Sequence, residues 1–359
     1  MRVVLAPDSF KGTVTATDAA RALAEGWRSV RPDDELIARP MADGGEGTAA
    51  AVAAALPGTT EHDVPGCTGP DGRTVTGRYA LLPDGTALVE LAVASGLPLM
   101  ARAAPLTATT RGTGEAVAAA LDSGARRLTV ALGGSASTDG GTGLLAALGL
   151  RLTDPQGREL PDGGGELTRL HRVDSTGLRP APPDGVVLLT DVADPLLGPD
   201  GAAAVYGPQK GAGPDEVALL DRGLSRLAAL LGGDPAQPGA GAAGGTAYGL
   251  TAAWGAVVRP GAAAVADLLG LDRDIAAADL VITGEGRYDA TSLRGKAVGE
   301  VLGRAARAGV PARIVAGEST DDRVLTLSAL AGDPASARQH AHTWLARAGA
   351  RLAQDAETG

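Results

Sequence analysis

The sequence predicts an α/β fold in which a doubly wound domain is interrupted by a second, inserted α/β domain. Three observations predict it. Apolar runs that read as strands alternate with stretches of helical period at both ends of the chain, which is the pattern of a parallel sheet. The middle changes style, opening with a β-hairpin and then starting its own alternation. Several of the strand-like runs end in loops rich in glycine and aspartate, on the side where open parallel sheets bind ligands.

Arg2 to Ala6 is the first apolar run. It is followed by a loop and a helix that spaces Ala19, Ala20, Leu23, Trp27 and Val30 at helical period. Glu35 to Arg39 reads as a second strand and Thr48 to Leu56 as an Ala-rich helix. Arg73 to Leu82 then alternates, turns through Pro83-Asp84-Gly85 and returns over Thr86 to Leu91, as a hairpin does. A helix over Gly114 to Leu121, strands over Arg127 to Leu132 and Val186 to Thr190, and a helix through Val217 to Leu231 make up the middle. Gly232 to Gly245 reads either as a flexible linker or as an ordered binding loop. The opening style returns with strands over Asp279 to Thr283, Ala312 to Ala316 and Val324 to Leu330, a helix over Gly299 to Ala308, and a closing helix from Pro334 to Leu352. Two strands at the start and three at the end suffice for a small doubly wound domain, residues 1–66 plus 286–359, holding an inserted α/β domain at 67–285.

The chain has 359 residues, too many for one ordinary core. Its 44% hydrophobic content includes one Phe, three Trp and four Tyr, so the cores must be packed from small aliphatic side chains. A net charge of −10 argues against nucleic acid or an anionic membrane as partner. The single cysteine, Cys67, excludes a disulfide framework or a multi-thiolate metal site. The first strand begins at the N-terminus and no apolar run reaches membrane length, so a cytoplasmic location is expected. His62, His171, His340 and His342 share no metal spacing and lie far from the glycine loops, which leaves no Ser/His/Asp triad.

The loops carry the chemistry. Asp8-Ser9-Phe10-Lys11-Gly12 offers a base or metal contact and an anion clamp three residues apart. Asp43-Gly44-Gly45-Glu46-Gly47-Thr48 has glycines for close backbone approach and a threonine at a helix start. Gly133 to Gly143 places five glycines around Ser135, Ser137, Thr138 and Asp139, which suits a phosphate cradle without the spacing of a P-loop or Rossmann fingerprint. Asp191 and Asp194 sit three apart after a strand, where carboxylates hold Mg²⁺ or take a hydroxyl proton. Lys210 is a lone cation in the turn Pro208-Gln209-Lys210-Gly211. Gly284-Glu285-Gly286-Arg287 is followed by Asp289, Arg294 and Lys296. Aspartates repel phosphate unless a cation lies between them, so these loops together suggest Mg²⁺-nucleotide chemistry.

Taken with Thr110-Arg111-Gly112-Thr113-Gly114-Glu115 and Pro238 to Gly245, these strings in this order closely resemble the bacterial type I glycerate kinase family over nearly the whole chain. The match also moves Gly232 to Gly245 toward an ordered loop. Ser137-Thr138 and Asp194 depart from the family pattern, which has Thr-Asn before Asp139 and an asparagine before Pro195. The resemblance implies ATP- and Mg²⁺-dependent phosphorylation of D-glycerate, the 2-phosphate being favoured over the 3-phosphate. It further implies a flavodoxin-like domain with an inserted α/β domain and an active site in the interdomain cleft. The residues assigned on this basis are Asp191, Lys11, Asp8 and Asp289 for catalysis, and Ser9, Arg287, Lys296 and Asp43 for the acceptor. ATP is assigned to Gly133, Gly134, Ser135, Asp139, Lys210 and Gly211, and the metal to Asp191 and Asp194. A kinase for another sugar acid is the first rival, and a non-catalytic nucleotide-binding regulator is the rival of another class. Sequence does not give the oligomeric state, and a homodimer is one option it leaves open.

Overall fold

The computed structural model describes residues 1–293 and 296–356. Among them the strands run, in chain order, β1 (Arg2–Pro7), β2 (Glu35–Ala38), β3 (Thr60–Thr68), β4 (Thr74–Leu81), β5 (Thr86–Glu90) and β6 (Arg127–Ala131). They continue with β7 (Arg151–Thr153), β8 (Arg172–Asp174), β9 (Val186–Leu189), β10 (Val257–Arg259), β11 (Leu280–Tyr288), β12 (Ala312–Ser319) and β13 (Leu325–Thr326). The chain forms two compact units, both mixing helices and sheet. Met1–Asp43, Ala50–Pro57 and the chain from Pro260 onward make the first, and Gly44–Ala49 with Gly58–Arg259 make the second.

The first unit holds a parallel sheet in the order β13-β12-β11-β1-β2. Val3 and Leu5 of β1 are buried with Ile282 of β11 in a core that also takes Phe10, Leu23, Trp27 and Leu345. Each such side chain contributes about 1.5–3 kcal/mol by leaving water. The helix Ala16–Arg28 starts where Thr15 accepts the Asp18 N–H at 3.1 Å, a capping bond that satisfies one of its orphan donors. It packs closely on the helix Ala341–Asp355. A Cβ added at Gly26 would lie 1.7 Å from the Ala346 carbonyl oxygen, and one at Gly349 2.2 Å from that of Leu23. Only glycine permits this approach.

The second unit holds a six-stranded sheet ordered β10-β9-β6-β5-β4-β3 and a two-stranded β7-β8 ribbon. The β3-β4-β5 part is antiparallel, and the β5-β6-β9-β10 part is parallel. Its core gathers Leu128, Leu144, Leu145, Leu188, Leu224 and Tyr248, which stand 0% exposed.

Strand pairing shifts both expected domain boundaries. β3 pairs with β4, so residues 60–66 belong to the second unit. β11 pairs with β1 through Val3↔Leu280 and its neighbours, so residues 260–285 belong to the first. Two elements also differ from expectation. The apolar run Val324 to Leu330 is a two-residue strand followed by the helix Leu327–Ala331. The closing helix is two, Pro334–Gln339 and Ala341–Asp355, separated at His340. Gly232 to Gly245 is ordered: the Leu196 N–H reaches the Pro235 carbonyl at 2.8 Å and the Gly241 N–H the Asp194 carbonyl at 2.9 Å.

Candidate active site

In the first unit a cavity of about 320 Å³ opens where β1 and β11 end. Asp8, Ser9, Lys11, Asp43, Arg287 and Lys296, all expected from sequence, line it together, and Phe10, Glu285, Glu318 and Arg338 join them. Asp8 directly follows β1, where its N–H bonds the Gly284 carbonyl at 2.8 Å and its Oδ1 accepts the Ser9 N–H at 2.6 Å. Burial pushes the Asp8 carboxyl up to about 7; Asp43 and Glu285 push the same way, while the Ser9 bond and Lys11 oppose them. Burial also raises Glu285. The cations are exposed: Lys11 stands 3.8 Å from Asp43 and Arg287 3.8 Å from Asp289. Lys296 Nζ lies 3.5 Å from Thr291 Oγ1.

Asp289 does not line this cavity. Its Oδ1 accepts the Thr291 N–H at 2.8 Å and the Thr291 hydroxyl at 2.6 Å, bonds that hold its carboxyl below the usual range. Its position is that of a turn cap. Arg294 lies outside the described residues.

In the second unit one glycine-rich loop, 133–143, follows β6, and the other, 44–49, runs into the helix Thr48–Ala55. The Ala49 N–H donates to Glu90 Oε1 at 2.6 Å and the Gly133 N–H to the Gly44 carbonyl at 3.3 Å, which draws the 44–49 and 133–139 segments together. A Cβ at Gly133 would sit 2.6 Å from the Gly45 Cα, so the approach depends on glycine. Gly134 is exposed with φ 78°, and Ser135 forms a bridge to Gly96. Asp139 lies beneath the loop, 0% exposed. Its carboxylate takes the Thr110 N–H (3.0 Å), the Thr110 hydroxyl (2.8 Å), the Gly141 N–H (3.1 Å) and the Gly143 N–H (3.2 Å). It therefore braces the loop from behind.

Lys210 is 3% exposed, and its ammonium donates to Ser135 Oγ at 2.9 Å and the Ser137 carbonyl at 2.5 Å. Burial lowers its pKa to about 8, with Asp139 working against the shift. Sequence offered a lone cation in a tight turn to meet a phosphate, and the turn, closed by Gly211 at φ 95°, carries the side chain inward under the loop. Behind the same loop, Ala243, Gly244 and Gly245 take left-handed backbone at φ 53°, 65° and 87°. The Gly244 carbonyl accepts the Gly140 N–H at 3.0 Å, and a Cβ on Gly244 would meet the Ser137 oxygen at 2.1 Å.

Asp191 follows β9 and is exposed. Asp194 accepts the Tyr206 hydroxyl, which with burial raises the phenol pKa. Sequence had offered Asp191 and Asp194 as a metal pair, and of the Asp194 carboxylate it is Oδ2 that takes the Tyr206 hydroxyl. Among the described residues no group of three or more His, Cys, Asp or Glu side chains is placed to hold a metal ion. Glu285 and Glu90 were not singled out by sequence reasoning. Their signal was position, each a glutamate at the end of a buried strand or within one that runs into a glycine loop.

A strand-end cavity of mixed charge in one unit and braced glycine loops in the other have the form of an α/β enzyme acting on small anionic molecules. Residues 3–356 match the model of the Glycerate kinase family, and the chain belongs to that family. It is 42% identical over 331 residues to the Glycerate 2-kinase of Escherichia coli (strain K12), spanning 90% of this chain and 86% of that protein. The Glycerate kinase of Bacillus subtilis (strain 168) is 41% identical with the same spans. The crystal structure of a "putative glycerate kinase 2" from Salmonella typhimurium LT2 superposes with a TM-score of 0.88 at 36% identity, covering 100% of this chain and 99% of that one.

Proposed function

We propose that the protein transfers the γ-phosphoryl group of ATP to the 2-hydroxyl of D-glycerate. Beside the family membership, the observation that carries this reading is the cavity in the first unit. A small hydroxy acid has a carboxylate at one end and hydroxyl donors along the rest. Lys11, Arg287 and Lys296 suit the carboxylate, while the buried Asp8 suits a hydroxyl. With a pKa of about 7, Asp8 is poised to take that hydroxyl's proton near neutral pH. The choice of the 2-hydroxyl is supported by the name of the E. coli relative.

The glycine loops of the second unit suit the phosphates of ATP, because their N–H groups can approach an anion closely. Gly133, Gly134 and Ser135 form the presenting stretch, with the Lys210 charge behind it and Asp139 holding its curvature. Phosphoryl transfer depends mainly on positioning and charge neutralisation, and both are supplied here by groups fixed before the ligand arrives. Mg²⁺ in such enzymes uses one or two carboxylates together with substrate phosphates rather than an all-protein cage. The exposed Asp191 is the strand-end carboxylate that fits this requirement, and the ion would neutralise phosphate charge when bound.

The reading of the first unit as a flavodoxin-like domain is supported by its strand order, which counted along that unit alone is 2-1-3-4-5. That the second unit is an insertion in it is supported by the two separated stretches of chain that make up the first. A cytoplasmic site of action suits a protein of net charge −10 that uses ATP.

Phosphorus NMR of the product made from D-glycerate, ATP and Mg²⁺ tests the function, with 2-phosphoglycerate as the expected product. A 3-phosphate would move the transfer to the other hydroxyl. Turnover of a different sugar acid with none of D-glycerate would overturn the acceptor.

A further inference from the structure

We propose that Glu285 recognises the acceptor hydroxyl that is not phosphorylated, and so sets the preference for a dihydroxy acid over a monohydroxy one. The inference rests on the glycerate reading above. Glu285 lies in β11 between two glycines and lines the cavity of the first unit. The residue is 8% exposed, and its Oε1 is buried without a hydrogen-bond partner among the described residues. The Ser292 hydroxyl favours the ionised carboxyl group, against the burial that raises its pKa, yet Oε1 itself receives no donor. A buried carboxylate oxygen left in this way is costly, and native folds keep few such atoms without a use for them.

The chemistry of the missing donor follows from the neighbours. Lys296 and Lys11 favour the ionised Glu285 carboxylate while Asp289 and Asp8 oppose it, and a carboxylate oxygen has no proton to give a substrate carboxylate or phosphate, so an anionic group does not suit Oε1. The cations that do suit such a group, Lys11 and Arg287, have side chains 79% exposed, toward solvent. A neutral hydroxyl is the part of a hydroxy acid that remains, and it is a donor. The transferred hydroxyl has to stay open to the incoming phosphoryl group and goes to Asp8. The hydroxyl that falls to the unpartnered Oε1 of Glu285 is therefore the spectator, the 3-hydroxyl if phosphate is placed on C2. A site built to pair with a hydroxyl discriminates strongly against an analogue lacking it, because the buried partner is then left bare.

The test compares kcat/KM for D-glycerate with that for D-lactate, which lacks the 3-hydroxyl, in the wild type, Glu285→Ala and Glu285→Gln. Should phosphate be found on C3, 3-hydroxypropanoate replaces D-lactate. The glycerate-to-lactate ratio is expected to fall by roughly 10- to 100-fold in Glu285→Ala, the worth of one hydrogen bond to a charged group. Glu285→Gln keeps an acceptor oxygen and should lie between. Tm should not fall in Glu285→Gln, since an unpartnered oxygen holds nothing in the fold. An equal loss with both acids, or a lowered Tm with an unchanged ratio, overturns the proposal and leaves Glu285 a structural residue. A wild type inactive on D-glycerate refutes the function instead. Calorimetric binding of the two acids then decides the role of Glu285 by the same ratio.

Discussion

In the first unit the cations of the candidate site stand in solvent, with the Lys11 and Arg287 side chains 79% exposed at a cavity whose buried groups are the carboxylates Asp8 and Glu285. In the second unit the arrangement is inverted, for the candidate cation Lys210 is 3% exposed and the surface of the loop above it is backbone. An exposed ammonium on a long stem can follow a small acid as it binds, at the cost of screening by water and salt. A buried one cannot move, but its charge is less screened and it fixes the loop that it underlies. On the proposed reading, one region would therefore recognise its ligand with side chains and the other with a shaped main chain. That difference makes substitutions in the two regions distinguishable by which Michaelis constant they change.

The largest effect should come from Asp8→Asn. Loss of a positioned general base should lower kcat about 10²- to 10⁴-fold while leaving the KM for ATP unchanged, as steady-state kinetics would show. The wild-type rate should also climb as pH rises through about 7, where Asp8 ionises. Stability should move the opposite way. The folded-state pKa lies above the unfolded value, so the native state carries no penalty below the ordinary value of 3.8 and loses stability as pH rises toward about 7. Asp8→Asn should thus raise Tm relative to wild type at pH 8 and not at pH 4. A variant with normal turnover would pass the base role to Asp191 or Glu285.

Lys210→Met tests the other region. A charge-assisted contact is worth roughly 1.5–3 kcal/mol, so the KM for ATP should rise, or kcat fall, by about 10- to 100-fold with little change in the KM for D-glycerate. Because burial brings Lys210 to about pKa 8, the wild type should lose ATP affinity above that pH, and the Met variant should lack this limb. Asp139, Ser135 and Ser137 are the groups around the ammonium, and Asp139 is the one that sustains its charge. A change confined to the glycerate KM would break the comparison, because the buried lysine would then serve the acceptor.

The smallest effect is expected at Ala243, the single non-glycine residue with positive φ among the described residues. Left-handed backbone costs an L-residue about 1–2 kcal/mol, part of which glycine gives back through its freer unfolded chain. Ala243→Gly should therefore stabilise the protein by roughly 0.5–1 kcal/mol in denaturant unfolding. Both Michaelis constants should stay put if the segment only backs the loop.

Much of this was legible in the sequence. β1, the helix after it, the β4-β5 hairpin, β6 and β9 were readable because their apolar periods are unambiguous and their ends carry glycine or proline. The residues of the first cavity were readable because strand-end loops in parallel sheets converge there. What was hidden depends on burial and long-range pairing. Pro208-Gln209-Lys210-Gly211 reads as a surface turn, and nothing local says that its lysine faces inward. That Tyr206, twelve residues on, donates to Asp194 Oδ2 is equally invisible in the local sequence. Val324 to Leu330 is too short an apolar run for periodicity to separate strand from helix. Gly232 to Gly245 has the composition of a linker, yet at Gly241 and Gly244 the neighbouring backbone comes too close for a side chain.

The glycine-to-backbone seam between the helices Ala16–Arg28 and Ala341–Asp355 also sets a clock. The helix Ala16–Arg28 leaves the ribosome before most of the second unit, but its partner, Ala341–Asp355, is made only after the whole of it. At about 5–20 residues per second, the roughly 200 residues between Pro57 and Pro260 alone impose a delay of tens of seconds. During that interval the apolar face of Ala19, Leu23 and Trp27 has no final partner, while the second unit already has most of its sequence to hand. The nascent chain is thus most in need of a chaperone while its middle is emerging, and a ribosome that stalls before Ala341 releases a protein whose first helix remains uncovered.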